Sequence, residues 1–195
     1  MRSICLAALL TVALAGCLPA VSISIEAIPA NGIVSGLPGA VVGWGFTLTD
    51  TDPSNWVVLA ASSFTGSQVF GTYVDYLGLP TAPLYVAGPA PESATVTQSW
   101  DPTMQLGLGE FDIHSTAIPN LAISGNLVVE YDVFSQDPND PNFDPNSFVT
   151  GGKIAVPVSV QVAPEPESQW LLLAGGLPLL VAAARAAHTA RLRCR

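Results

Sequence analysis

The sequence predicts an all-β protein, a single antiparallel β-sandwich with an apolar segment at each end of the chain. Between residues 21 and 163, seven or eight short runs either alternate apolar with polar side chains or are mostly apolar, as strands do. Gly, Pro, Asn and Asp separate these runs, which is typical of turns in an antiparallel sandwich. No stretch before residue 164 repeats its apolar residues at the helical period, so no amphipathic helix is predicted there.

The first predicted strands lie at the start of this domain. Residues 21–27 alternate Val, Ile, Ile and Ala with polar side chains, which indicates a half-buried strand. Residues 29–39, PANGIVSGLPG, are rich in turn residues, so we expect a turn there and exclude a helix. Residues 40–50 form the next strand, and Trp44 and Phe46 lie on its core-facing side.

A turn and a buried strand follow. Residues 49–55, TDTDPSN, are predicted to turn, because Asp and Asn side chains can bond their own backbone. Residues 56–64 are mostly apolar, so we expect a strand buried on both faces. Pro157 lacks a backbone donor, which indicates that the last strand is an edge strand. The remaining predicted strands fall within residues 67–77, 93–100, 105–113, 126–134 and 153–163.

Residues 36–56 resemble part of a known family of modules, and this resemblance makes the predicted fold class more specific. Their sequence, GLPGAVVGWGFTLTDTDPSNW, resembles the early strand pair of bacterial immunoglobulin-like modules. In those modules a Pro-Gly turn leads into an alternating strand that ends in Thr-Asn or Thr-Asp. The resemblance implies an immunoglobulin-like β-sandwich over residues 21–163.

Charge and cysteine content exclude several functions for this domain. Thirteen of the fifteen acidic residues lie between Glu26 and Asp144, and Lys153 is the single basic residue of residues 21–163, which gives a net charge of −12. Such a domain repels nucleic acid, because binding phosphates requires Lys and Arg. All three cysteines lie in the terminal segments, so a disulfide framework, a thiolate zinc site and a cysteine nucleophile are excluded from the domain.

Residues 1–20 are predicted to be a secretory signal peptide. Arg2 precedes an apolar run over residues 4–15, which is too short to span a membrane. Cleavage after Ala20 is one prediction. The alternative is a lipoprotein, because residues 14–17, LAGC, match a lipobox in which Cys17 would carry the lipid.

Residues 164–195 are predicted to be a separate sorting and anchoring segment. A stiff, proline-rich stretch, APEPE at residues 163–167, precedes Trp170 and an apolar run. A helix over residues 170–187 would be roughly 27 Å long, close to the thickness of a bilayer core. The basic residues at its end, expected on the cytoplasmic side, are Arg185, Arg191, Arg193 and Arg195.

The order of Pro-Glu-Pro, Trp, apolar helix and arginine cluster resembles the PEP-CTERM sorting signal. This signal occurs on exported proteins of Gram-negative bacteria that make exopolysaccharide. The resemblance implies that exosortase, a membrane protease-transpeptidase, recognises Pro164, Glu165 and Pro166 and processes the chain there. Glu167 departs from the small or hydroxyl residue that is commoner at its position, and an anchor that is never cut is the alternative.

Candidate catalytic residues are few. Asp112 and His114 are two apart on one predicted strand face and could orient an imidazole, but no Gly-x-Ser-x-Gly elbow supplies a serine nucleophile. Glu110 and Glu130 could form a carboxylate pair for glycoside hydrolysis, although the sequence does not favour this pair over others. We therefore expect no enzyme activity and keep a secreted hydrolase as the third option.

The run SQDPNDPNFDPNSF suggests a metal site. Asp137, Asp140 and Asp144 recur in it, each followed by Pro and Asn, and dense oxygen ligands suit a hard cation such as calcium. The spacing is not that of an EF-hand, so the alternative is a solvated hairpin connection between two strands. No other cofactor is predicted.

Five aromatic residues could form a sugar-stacking surface. Trp56 and Trp100 are the main candidates, and the others are Tyr73, Tyr76 and Tyr85. The alternative is that these rings fill the core of the sandwich.

Together these observations predict an exported protein at the cell surface or in the extracellular matrix of a Gram-negative bacterium, membrane-anchored before processing. Its role would be structural or adhesive and linked to exopolysaccharide. The alternative is a calcium-assisted carbohydrate-binding module. The expected partners are exosortase, the membrane and an exopolysaccharide.

Overall fold

A computed structural model describes residues 23–91 and 94–164, which form two packed β-sheets. No helix within these ranges is long and apolar enough to cross a membrane. A short 3-10 helix, Pro145–Ser147, precedes the last strand. The strands are β1 (Ile23–Ile28), β2 (Ile33–Gly36), β3 (Val41–Asp50), β4 (Trp56–Phe64), β5 (Gly71–Asp75), β6 (Val86–Ala87), β7 (Thr95–Gln98), β8 (Gly109–Ile113), β9 (Ala122–Phe134) and β10 (Phe148–Val162).

The first sheet is built around β3. Strands β1 and β7 both pair with Phe46–Thr49 of β3, so they lie on its opposite edges. The first half of β3 pairs with β8, which in turn pairs with β5. The sheet therefore has the order β1-β3-β8-β5, with β7 continuing the edge of β3 beyond β8.

The second sheet has the order β2-β10-β9-β4-β6. Its centre is the long hairpin of β9 and β10, paired from Ala122 to Phe134 on β9. Strand β4 pairs with the other edge of β9, with a register shift between Leu59 and Ala61. All pairings among the described strands are antiparallel except the parallel pairing of β2 with β10.

The all-β prediction is confirmed, and every predicted strand contains an observed strand. The turn predicted at residues 29–39 is wrong in its middle, because Ile33–Gly36 forms β2. The backbone of β2 pairs with Ser159–Val162 of β10, more than a hundred residues away in sequence. Gly32, with a φ of +66°, turns the chain into this strand.

Pro157 was predicted to mark an edge strand, but β10 lies between β2 and β9. The parallel partner β2 pairs with β10 only from Ser159 onward. Pro157 therefore lies just before the stretch that needs donors towards β2. The prediction that β10 is an edge strand is therefore wrong. The missing N–H of Pro157 is nevertheless tolerated, because β2 does not pair with β10 at that residue.

The core forms where the inner faces of the two sheets meet. The first sheet contributes Trp44, Phe46 and Phe111, all fully buried, which confirms the predicted burial of Trp44 and Phe46. The second sheet contributes other fully buried side chains, including Leu127 and Val129. The rings of Trp44 and Phe64 stack across the core at 6.2 Å between centroids.

Strand β4 is buried on both faces for part of its length. Val57, Val58 and Leu59 are buried, as predicted. Beyond the register shift the pattern becomes alternating, with Ser62 and Phe64 buried and Ser63 exposed. The bulge reorients the second half of the strand, so one face of that half reaches solvent.

A polar cluster joins the two sheets inside the sandwich. The Ser62 hydroxyl of β4 lies 2.8 Å from the Tyr73 hydroxyl and 2.5 Å from Oδ1 of Asp75, both on β5. The Leu108 carbonyl oxygen lies 2.7 Å from the Ser62 Oγ. Burial raises the pKa of Tyr73 well above its ordinary value, so the phenol keeps its proton as a donor.

This cluster gives the first prediction. Replacing Ser62 by Ala removes one hydrogen bond from the half-buried Tyr73 hydroxyl and one from Oδ1 of Asp75. At about 0.5–1.5 kcal/mol for each bond, the loss should cost about 1–3 kcal/mol of unfolding free energy. Ser63→Ala, one residue along on the exposed face, should change stability by less than about 0.5 kcal/mol. Chemical denaturation of both variants measures the difference. Equal stabilities would show that the cluster contributes nothing.

Candidate functional site

The connection between β9 and β10, residues 135–147, consists of three similar turns. The N–H groups of Asn139, Asn142 and Asn146 donate to Oδ1 of Asp137, Asp140 and Asp144 at 2.9, 2.7 and 2.9 Å. In each turn a backbone N–H three residues on donates to the carbonyl of the same aspartate, at 2.9 to 3.0 Å. Asp-Pro-Asn is suited to this geometry, because proline fixes φ and aspartate accepts the bond two residues on.

These turns confirm the hairpin connection that was the alternative to a metal site. Each aspartate belongs to its own turn, so Asp137, Asp140 and Asp144 are not gathered into one metal site. Among the residues that the structure describes, no group of three or more His, Cys, Asp or Glu side chains could hold a metal ion. In the described structure Asp137, Asp140 and Asp144 therefore do not form the triad that the sequence suggested, because each accepts a backbone hydrogen bond within its own turn.

Aromatic packing and hydrogen bonds hold the 135–147 connection against the second sheet. Phe143 packs edge-on against Phe134, with centroids 5.2 Å apart, and Phe148 contacts the same ring at 5.9 Å. The Ser135 N–H donates to the Ser147 carbonyl at 2.9 Å, which closes the base of the connection. The connection is therefore a packed structural element.

A groove opens where this connection meets the start of β4. It has a volume of about 370 Å³, and its lining residues are Trp56, Ser135, Gln136, Asp137, Asp140 and Asn142. Trp56 pairs with Phe134 across β4 and β9, and its side chain is half-buried. The groove thus brings together one predicted aromatic residue and two of the predicted acidic residues.

The lining of the groove suits a neutral, hydroxyl-rich ligand. Trp56 provides an apolar ring face, and the polar side chains provide acceptors and amide donors. Among residues 23–91 and 94–164, no hydrogen bond is made to Oδ2 of Asp137 or Asp140. Two carboxylates with no basic side chain in the lining disfavour an anionic ligand.

The predicted aromatic platform does not form. Tyr76 and Tyr85 are only 2% and 7% exposed, so neither can stack on a ligand in this structure. The Tyr85 ring packs edge-on against Phe46 at 4.9 Å. Burial, together with a hydrogen bond to Glu110, raises the pKa of Tyr76 well above its ordinary value.

Trp56 and Trp100 lie in different parts of the sandwich. Trp56 belongs to the second sheet, whereas the half-buried Trp100 lies against Gly43 of the first sheet. A Cβ at position 43 would come within 2.2 Å of the Trp100 Nε1, so glycine is needed there. The two tryptophans cannot act together on one short ligand, and only Trp56 lines the groove.

The candidate catalytic residues do not form a catalytic arrangement. Asp112 and His114 are both exposed, and the His114 Nε2 lies 3.5 Å from the Thr72 hydroxyl. No hydrogen bond joins Asp112 to His114 within the described ranges. Glu110 and Glu130 lie on different sheets, where Glu110 accepts from Tyr76 and Glu130 pairs with Lys153.

Other predicted features fall outside the described residues. These are the signal peptide, the lipidation candidate Cys17, Glu165 and Pro166, and the anchor with Trp170 and the arginines. Pro164 is described and follows the end of β10 at Val162 by two residues.

Three of the groove residues were not predicted from the sequence, namely Ser135, Gln136 and Asn142. The repeated Asp-Pro-Asn pattern marked this stretch as unusual and ligand-rich. It did not indicate that the connection packs beside Trp56, since these residues are about eighty positions apart.

Comparison with protein-family models and with curated proteins finds no match. Among solved structures, the chain is similar to AggA, the major subunit of aggregative adherence fimbriae type I of Escherichia coli, with 9% identity over 73% of this chain and 95% of that chain and a TM-score of 0.34. It is similar to CaCohA2 of Clostridium acetobutylicum, with 15% identity, coverages of 73% and 91% and a TM-score of 0.33. A PapD-like domain of human CEP192 matches at 11% identity, coverages of 84% and 100% and a TM-score of 0.28. At these TM-scores the fold assignment rests on the two sheets themselves.

The Asp-Pro-Asn turns give the second prediction. Asp140→Ala removes the acceptor of the Asn142 N–H, and a bond of about 1 kcal/mol corresponds to roughly 5-fold faster amide exchange at that position. Asp140→Asn keeps an equivalent oxygen and should preserve the protection. Amide hydrogen exchange followed by NMR measures both. Equal loss in the two variants would show that the turn depends on the charge and not on the bond.

Proposed function

We propose that this protein is an exported adhesive or structural β-sandwich that binds a neutral exopolysaccharide in the groove at Trp56. The observation that carries this proposal is the convergence, in one open groove, of a half-buried tryptophan with carboxylate, amide and hydroxyl side chains.

Trp56 is positioned to stack on a sugar ring. Its backbone is fixed by pairing with Phe134, so a ligand would have to order only the side chain. The C–H groups on one face of a pyranose are apolar, and a tryptophan ring offers a large apolar area to cover them. A tryptophan side chain has only two rotatable angles, so ordering it on a ligand costs little entropy for the area that it covers.

The polar lining complements the hydroxyl groups of a sugar. Carboxylate oxygens accept hydrogen bonds from hydroxyls, and the Asn142 amide adds a donor. The Gln136 Oε1 already accepts from the Asp144 N–H at 3.0 Å, which leaves its Nε2 as a donor. A neutral polysaccharide avoids repulsion from the domain charge of −12.

Delivery to the cell surface is the second part of the proposal. The signal peptide would take the chain through the inner membrane, and the PEP-CTERM signal would present Pro164, Glu165 and Pro166 to exosortase. The strand β10 ends at Val162, so the Pro-Glu-Pro motif follows the domain almost at once. An anchored chain would hold the domain outside the membrane until processing.

Ligand binding gives the third prediction. Trp56→Ala should weaken binding to the host exopolysaccharide at least about 10-fold in affinity electrophoresis, as expected for the loss of a central aromatic anchor. Trp100→Ala makes the same change away from the groove and should leave affinity within about 2-fold. Circular dichroism checks that both variants are folded. A larger loss with Trp100→Ala, or no binding by the native protein, would contradict the proposal.

Processing gives the fourth prediction. The intact mass of the mature protein from its native host should correspond to a chain that begins at Val21 and has lost the segment after the Pro-Glu-Pro motif. A lipid-modified N-terminus at Cys17 would support the lipoprotein alternative instead. A mature protein that still contains residues 170–195 would contradict processing by exosortase.

A further inference from the structure

Asp50 and Asp52 are the buried charged residues of the described ranges. Asp50 is 0% exposed and ends β3, and Asp52 is 5% exposed in the turn that follows. This turn crosses from the first sheet to Trp56, where β4 begins in the second sheet. Two carboxylates are thus buried two residues apart in one turn.

The hydrogen bonds of the turn leave one carboxylate oxygen without a partner. Oδ1 of Asp50 accepts the Asp52 N–H at 2.8 Å, while the buried Oδ2 has no hydrogen-bond partner among the described residues. In Asp52, by contrast, both carboxylate oxygens accept a hydrogen bond. Its Oδ1 accepts the Ser54 N–H and its Oδ2 accepts the Asn55 side-chain amide, both at 2.8 Å.

No basic side chain of the domain neutralises these carboxylates. Lys153 is the single basic residue between residues 23 and 164, and it pairs with Glu130 at 2.5 Å. Burying a carboxylate without a counterion is costly.

Oδ2 of Asp50 is a buried acceptor that no hydrogen-bond donor of the described residues reaches. A cation at Oδ2 would both neutralise the charge and occupy the unpaired oxygen. The geometry is therefore suited to a cation at this position.

We propose that the Asp50–Asn55 turn binds one calcium ion through Oδ2 of Asp50 and the carboxylate of Asp52. The donors are oxygens from carboxylates, which suit a hard cation. Calcium accepts six to eight oxygen ligands in irregular geometry, so backbone carbonyls and water can complete the shell. An exported domain meets calcium at concentrations that match the weak affinities of extracellular modules.

The position of the ion gives it a structural effect. The Asp50 N–H donates to the Ala94 carbonyl at 2.7 Å, and the Asp52 carbonyl accepts the Ala90 N–H at 2.8 Å. The turn that links the two sheets is therefore bonded to Ala90 and Ala94, which both precede β7. Binding at this point would stabilise the end of the sandwich from which Trp56 emerges.

The test uses the purified full-length chain, stripped with EDTA and then titrated with calcium chloride. Thermal unfolding should shift upward by about 5 °C at a calcium concentration well above the dissociation constant. Isothermal titration calorimetry should show one site per chain. A native chain with neither a shift nor binding heat overturns the proposal.

Variants then locate the ion. Asp50→Asn keeps the acceptor for the Asp52 N–H and should abolish both the shift and the heat. In EDTA it should unfold at or above the native temperature, because a buried uncompensated charge has been removed. Asp52→Asn, which keeps an acceptor for the Ser54 N–H, provides a second removal should Asp50→Asn fail to fold.

The matched control is Asp140→Asn, which removes one carboxylate charge from the Asp-Pro-Asn connection. It should keep the full calcium shift. An equal loss of the shift in Asp140→Asn, or an undiminished shift in Asp50→Asn, would place the ion elsewhere and overturn the proposal. An equal response to magnesium would overturn the assignment to calcium. None of these readouts involves a polysaccharide, so they are independent of the proposed function.

Discussion

The burial of Trp44 between the two sheets is the constraint on which the rest of the structure depends. Its indole N–H donates to the Gly32 carbonyl at 2.9 Å, and the same carbonyl accepts the Ser159 N–H at 3.0 Å. One carbonyl oxygen therefore links β3 of the first sheet to the β2–β10 pair of the second. Because a buried indole must find an acceptor, this contact fixes how the sheets face each other. The hydroxyl cluster at Ser62 fixes the sheets at a second point.

The groove at Trp56 is a consequence of this arrangement. Strands β9 and β10 form a long hairpin at the centre of the second sheet, and their connection packs back on Phe134. Since β4 pairs with β9, the first residue of β4 comes to lie beside that connection. The groove thus has the second sheet on one side and three proline-containing turns on the other. Because both walls are in place before a ligand arrives, the entropy cost of binding is reduced.

Acidic residues serve three different purposes in this chain. Those at 137, 140 and 144 close local turns through their Oδ1 atoms. Asp75 accepts from Ser62 and from the Leu77 N–H, so its charge is balanced by donors within the sandwich. Asp50 has fewer donors than its burial demands. The physical difference is the number of donors that reach each carboxylate, and a sequence count of acidic residues does not distinguish these cases.

The sequence by itself determined the all-β class, the faces of β1 and β3, and the turns at Asp-Pro-Asn, because these depend on side-chain alternation and on bonds between near neighbours. Only the tertiary structure decided that β2 pairs in parallel with β10, that Tyr76 and Tyr85 are buried while Trp56 lines a groove, and that Asp50 is enclosed. The sequence does not show whether another strand covers a given aromatic residue or aspartate. What covers it is set by contacts between residues far apart in the chain, and those follow from how the two sheets close on Trp44.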